Sequence, residues 1–320
     1  MPSQDSYVER FRLYNSWADL DAYMIKAQNS FEELCEFWRT AYSTLDTEAA
    51  DIESTLKNWV TRILTDDGSS LESPIRSLFS FKPPEPFFGH WRADNGNLLV
   101  GKKTIVALIN PGDGNTYAQC ADPDISLVGR PHWQLLKEFY TTGAVSHGGE
   151  LHRLLYTRKL QNLAYNYRSG TRRQFAWGWW GSQWKNMLRA IGETDEDNSF
   201  LTLELFAYSS PNANNLNSAI VNALHSSRLA ARLIVDLIQD ESARPQRIVL
   251  VNKRSIWEPL LQQHGYKLEP LKLQNSKGNP KTYRAFFDGQ PTQVPVILLQ
   301  SRNMKFPKPD TGAREIFGVP

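Results

Sequence analysis

Residues 104–114 read Thr-Ile-Val-Ala-Leu-Ile-Asn-Pro-Gly-Asp-Gly, and no other stretch constrains the fold as tightly. An apolar, β-branched run of this kind is a buried strand, and here it stops abruptly in turn residues. Pro111, Gly112 and Gly114 force a sharp exit and let the backbone come close to a ligand. Asn110 and Asp113 are left at the mouth of the sheet, where open α/β folds bind ligands. An ordinary strand-to-loop turn uses the same residues, so the rest of the chain has to decide between the two.

Three further strands are expected. Residues 200–206 run into the polar turn Tyr208-Ser209-Ser210-Pro211, residues 247–251 lead into a helix from Ser255, and residues 294–300 open into 301–307. Helical spacing recurs near 132–141, 150–166, 182–191 and 217–240, with an aromatic and basic loop over 167–181. Strands alternating with helices predict an α/β fold with a helix-flanked, largely parallel central sheet. Residues 1–65 are read as an N-terminal helical extension, in which Phe31, Leu34 and Trp38 recur at helical steps. Residues 66–95, broken by Lys82-Pro83-Pro84-Glu85-Pro86, are a linker or strap, and 96–320 form the α/β domain.

Charge is informative only by location. The formal net charge of +2 over 320 residues excludes a uniformly basic nucleic-acid binder. Between Arg153 and Arg189, however, there is no acidic residue, and Arg168, Arg172 and Arg173 lie beside Tyr165, Tyr167 and Trp177. Cations interleaved with stacking rings suit unstacked or single-stranded nucleic acid. Core packing is the plainer account of the tryptophans, so the DNA phosphates are assigned to the arginines.

Other chemistries lack their signatures. The histidines are scattered and the cysteines number two, so no metal site is expected. No glycine-rich nucleotide loop and no Gly-x-Ser-x-Gly elbow occurs, so the expectation is an enzyme without a cofactor. Two cysteines, no leader and no membrane-length apolar run point to a cytoplasmic protein away from membranes, and a monomer is expected.

Ile109-Asn110-Pro111-Gly112 resembles the Asn-Pro-Gly motif in the mismatch-specific and single-strand-selective branches of the uracil-DNA glycosylase superfamily. Leu203–Ser210 with Asn212-Ala213-Asn214 resembles that family's strand bearing the base-reading residue, and Ser301–Phe306 occupies the place of its minor-groove loop. The resemblance covers roughly residues 100–310 and implies that family's three-layer fold. It also implies that Asn110 orients the hydrolytic water, with Asp113 as the alternative base or cation stabiliser. Tyr117 becomes the ring that receives the flipped base, and Glu204, Ser209 and Ser301 surround that base. Arg302, Asn303, Met304 and Lys305 enter the duplex or hold its phosphates.

Two departures sharpen the expectation. Gln300-Ser301-Arg302-Asn303-Met304 replaces the His-Pro-Ser loop of many members, so no histidine stands there to stabilise a departing base. Glu204 falls where uracil enzymes often carry asparagine. A carboxylate only accepts hydrogen bonds, which suits the exocyclic amine of a cytosine-type base rather than uracil. An ion-paired strand residue is the alternative for Glu204. The expected activity is a monofunctional DNA glycosylase that removes a modified cytosine, such as the glucosylated hydroxymethylcytosine of some phages, in antiphage defence. A non-catalytic sensor of a nucleotide or modified base is the second reading, and a housekeeping uracil or thymine mismatch enzyme the third.

Overall fold

The computed structural model describes residues 26–46, 48–68, 79, 82–89, 91–93, 97–101, 103–109, 132–142, 165–166, 171–172, 200–208, 210, 215–240, 242–272, 281–300 and 316–317. Two helices come first, α1 (Lys26–Ser43) and α2 (Ile52–Asp67). Along α1, Ala27, Phe31, Leu34, Trp38 and Tyr42 are all buried, the three- and four-residue spacing of one helical face. Asp51 caps α2 by accepting from Ser54 N at 3.1 Å.

The central strands follow the expected positions more closely than the expected lengths. After the short β1 (Phe87–Phe88), β2 spans Thr104–Leu108 and the helix α3 spans His132–Thr141. A two-residue pair, β3 (Tyr165–Asn166) and β4 (Thr171–Arg172), forms a separate antiparallel ladder with Tyr165 opposite Arg172. Strand geometry at Tyr165–Asn166 replaces the end of the helix expected over 150–166, and β4 interrupts the expected loop 167–181. β5 covers Phe200–Glu204.

The helix expected over 217–240 is two helices, α4 (Ser218–Ala223) and α5 (His225–Gln239). They are broken at Leu224, which is extended (φ −89, ψ 126) and fully buried. β6 (Arg247–Val251) and α6 (Arg254–Gln262) follow, then β7 (Tyr266–Pro270), β8 (Lys281–Phe287), β9 (Gln290–Pro291) and β10 (Val296–Gln300).

The protein is α/β, but the sheet is mixed rather than largely parallel. Its order is β1-β5-β2-β6-β10-β8-β7, with β9 paired to β8. β5, β2, β6 and β10 are mutually parallel, whereas β1 joins β5 antiparallel at one edge and β8, β7 and β9 are antiparallel at the other. The physical reason is connection length. β7, β8 and β9 follow one another through hairpins, which produce antiparallel pairs, while the parallel strands are joined by longer crossovers.

The helices of the N-terminal region are built into the same core as the sheet. Phe31 stacks on Trp91 with centroids 5.0 Å apart and meets Phe87 of β1 edge-on at 5.4 Å. Tyr42 stacks on Tyr140 of α3 at 4.9 Å, and Trp38 meets Tyr208, just past β5, at 5.7 Å. Arg232 of α5 donates to Ser30 of α1 at 3.0 Å and forms an ion pair with Glu33. Among the described residues no helix is long and apolar enough to cross a membrane.

Candidate site at the ends of the parallel strands

In chain order the parallel strands lie second, first, third, fourth across the sheet, because β5 sits to one side of β2 while β6 and β10 sit to the other. The sense in which successive strands are added therefore reverses between β2 and β6. In open α/β sheets the crevice beyond the carboxyl ends at such a reversal is where ligands bind. The exits from β2 and β5 stay zipped together there: Leu205 N donates to Leu108 O and Phe206 N to Ile109 O, each at 2.8 Å.

Glu204 is the last residue of β5 and lies in register with Leu108 of β2. It is 1% exposed, and its backbone N–H donates to Pro86 O at 2.8 Å, in the segment leading to β1. Strand alternation gives the two faces of the sheet different chemistry. Ile105, Ala107, Leu201, Leu203, Ile248 and Leu250 make one face wholly apolar. By the strand registers, the other carries the buried polar residues Thr104, Thr202, Glu204 and Arg247. Glu204 is at the rim end of that polar face.

Charge at the rim reaches Tyr140. Burial drives its phenol well above the ordinary range, with Glu85 and more weakly Cys35 and Glu204 adding to the effect. The phenol donates to Phe87 O at 2.8 Å, which ties α3 to β1 beside the base of Glu204.

Across the reversal point, β6 exits through Asn252 and Lys253, both in the left-handed region with φ of 63° and 48°. Asn252 N donates to Leu299 O of β10 at 2.7 Å, while Lys253 O accepts from Ile256 N at 2.8 Å and Trp257 N at 3.2 Å. Lys253 thus occupies the N-cap of α6, where its side chain makes no capping bond and where Ser, Thr, Asp or Asn is usual. Burial lowers the pKa of its ammonium. Arg254, next in sequence, is taken up elsewhere: its guanidinium sits 4.4 Å over the Tyr283 ring and bonds Glu258 at 2.5 Å.

Of the residues singled out from sequence, Glu204 is at the rim and Arg172 is on β4, opposite Tyr165. Asn110, Asp113, Tyr117, Arg168, Arg173, Ser209, Ser301, Arg302, Asn303, Met304 and Lys305 lie outside the described residues. Ile109, fully buried, is the last described residue before Asn110. Asn252 and Lys253 were not singled out. Their only sequence signal is a lysine between a strand and a helix where a capping residue belongs. Among the described residues no group of three His, Cys, Asp or Glu side chains could hold a metal.

Comparison with known proteins finds no matching family model, no matching curated protein and no matching solved structure. What the fold and rim define is a class of architecture: an α/β protein with a mixed sheet and a carboxylate buried at the carboxyl ends of its parallel strands.

Proposed function

We propose that the protein is a monofunctional DNA glycosylase that hydrolyses the N-glycosidic bond of a flipped, modified cytosine, leaving an abasic site, and that it serves antiphage defence. The reading carries forward the resemblance of Ile109-Asn110-Pro111-Gly112 and of the β5 region to the uracil-DNA glycosylase superfamily. One observation supports it most: Glu204 is a carboxylate held inside the protein, at the end of the strand adjoining the one that leads into Asn110. Its place at the carboxyl end of a parallel strand is where open α/β folds bind ligands. An acceptor there suits the amine of a cytosine-type base.

In this reading the chain works by positioning. Asn110 holds a water beneath the sugar through its side-chain carbonyl, and Asp113 stabilises the developing positive charge on the sugar or takes the water's proton. Tyr117 stacks on the extruded base, while Arg168, Arg172, Arg173 and the residues 302–305 hold the phosphates and the opened duplex. No cofactor enters the reaction.

The test is release of free base from matched oligonucleotides carrying uracil, cytosine or glucosylated hydroxymethylcytosine, by the wild type and by Asn110→Ala. The expected result is base release and an abasic product from the modified cytosine alone, falling on the order of a hundredfold or more in the folded variant. Tight binding of modified DNA with no base released would replace the enzyme by a sensor. Preference for uracil would overturn the substrate assignment.

A further inference from the structure

Three helices meet at one junction, each turning a single stripe of residues toward it. Ser218, Val221 and Asn222 of α4 follow three- and four-residue steps, as do Arg228, Ala231 and Arg232 of α5. On α6 the stripe begins apolar, with Ile256, Pro259 and Leu260, and ends polar at Gln263 and His264. Small side chains at Ser218 and Ala231 keep the helices from filling the junction. The result is a cavity of about 220 Å³ lined, among the described residues, by helix residues and the α6 exit. Among the described residues its lining includes neither Glu204 nor Asn252 nor Lys253, so a ligand there does not depend on the glycosylase reading.

The cavity has an apolar floor and a cationic mouth. Val221, Ile256 and Leu260 are buried, whereas Asn222, Arg228, Gln263 and His264 are exposed. Among the described residues its lining holds two arginines and a histidine and no acidic residue. Arg232 is committed to Glu33 and Ser30. Arg228 is held in place by Asn222 O, to which Nη1 donates at 2.5 Å, with Nη2 3.4 Å from His225 Nδ1. A guanidinium carries five N–H donors, so these two contacts orient Arg228 without exhausting it. Size narrows the choice further. An apolar cavity of about 150 Å³ accepts a benzene molecule, so the space here matches one ring with one further group.

We propose that this cavity binds a small carboxylate with a compact apolar body, an aryl or branched alkyl acid. The carboxylate pairs with Arg228 and the body rests on Val221, Ile256 and Leu260. A guanidinium matches a planar carboxylate and gives it charge-assisted hydrogen bonds that a neutral hydroxyl does not receive.

Benzoate is the probe, titrated into the full chain while amide chemical shifts are followed, with benzyl alcohol as the uncharged control. The expected dissociation constant for benzoate is on the order of 1 mM, as befits so few heavy atoms, with shifts grouped on α4, α5 and α6. Benzyl alcohol should bind at least about tenfold more weakly, and Arg228→Gln, at an exposed position, should abolish that preference. Ala231→Phe fills the cavity and should remove binding of both; Val221→Phe serves if that variant does not fold. No saturable shift with benzoate at about 10 mM, equal affinity for benzyl alcohol, or binding that survives the filled cavity would each overturn the assignment.

Discussion

Tyr208 donates its phenolic hydrogen to Asp67 Oδ2 across 2.8 Å, joining the end of α2 to the chain that leaves β5. The same carboxylate accepts from Ser226 N at 2.7 Å and Ser226 Oγ at 2.5 Å, at the start of α5. One buried side chain therefore ties the end of α2 to both the exit of the Glu204 strand and the start of α5. Burial raises the Asp67 pKa above its ordinary value of 3.8, against the pull of those hydrogen bonds. The fold thus favours the protonated acid, and its contribution is complete below pH 3.8 and declines as the pH rises through the raised value. Asp67→Asn, which cannot ionise, should be most destabilising relative to wild type at pH 3.5 and progressively less so toward pH 7 in urea unfolding. Tyr208→Phe should cost about 1 kcal/mol, the worth of one buried hydrogen bond. A penalty for Asp67→Asn that grows with pH would reverse the assigned direction.

Lys253 supplies a test of backbone strain. A lysine with φ of 48° holds a conformation that costs an L-residue about 1–2 kcal/mol and a glycine very little. Lys253→Gly should therefore unfold within about 0.5 kcal/mol of wild type, because relief of strain offsets glycine's larger entropy in the unfolded chain. Lys253→Val, β-branched in the same place, should lose more than about 1 kcal/mol. Equal denaturation midpoints for the two variants would show that the turn after β6 relaxes out of this conformation.

Cys35, partly exposed on α1, should react slowly in the native state. Burial pushes its thiol up to about 12, with the Arg92 guanidinium working in the opposite direction. At pH 8 that leaves about one thiolate in ten thousand, and the thiolate is the reacting form. In a Cys120→Ser background, iodoacetamide should label the folded protein far more slowly than the urea-unfolded one. Arg92→Met should slow the reaction further, not speed it. Similar rates in the folded and unfolded protein would mean that the Cys35 site opens readily.

Strands with both faces buried were legible because an unbroken apolar run such as Ile248–Val251 has few alternatives. The antiparallel edges were harder. In β7, Tyr266 and Leu268 are buried while Lys267 and Glu269 are exposed, the proper two-residue alternation, but it lasts only five residues. Asp288-Gly289, with φ of 48° and 75°, joins β8 to β9 and is a strong hairpin signal. β1 is hidden behind prolines, which an edge strand tolerates because one of its sides needs no donor. Leu224 breaks a helix without proline or glycine, so only tertiary burial accounts for it. For the site, Glu204 stood out as a charge inside an apolar strand. Lys253 did not, because a reversal point is a property of strand order and no single segment carries it.

Glu204 carries the sharpest prediction. As an acceptor only, its carboxylate matches the amine of a cytosine-type base and offers nothing to a uracil carbonyl while ionised. Glu204→Gln keeps the length of the side chain but makes one of its two polar atoms a donor. On glucosylated hydroxymethylcytosine the variant should lose on the order of a hundredfold or more in excision, since a buried site built for one hydrogen-bonding pattern strongly rejects another. Glu204→Asn should lose that activity too, and any uracil release it gains would reflect the donor and acceptor pair that uracil requires. Thermal melting separates function from structure here. Since Glu204 is 1% exposed and sits between β1 and β2, a purely structural carboxylate would show its loss first as a lowered melting temperature, with the remaining folded protein fully active. A folded Glu204→Gln enzyme with unchanged excision would remove Glu204 from base recognition and leave it a buried strand residue.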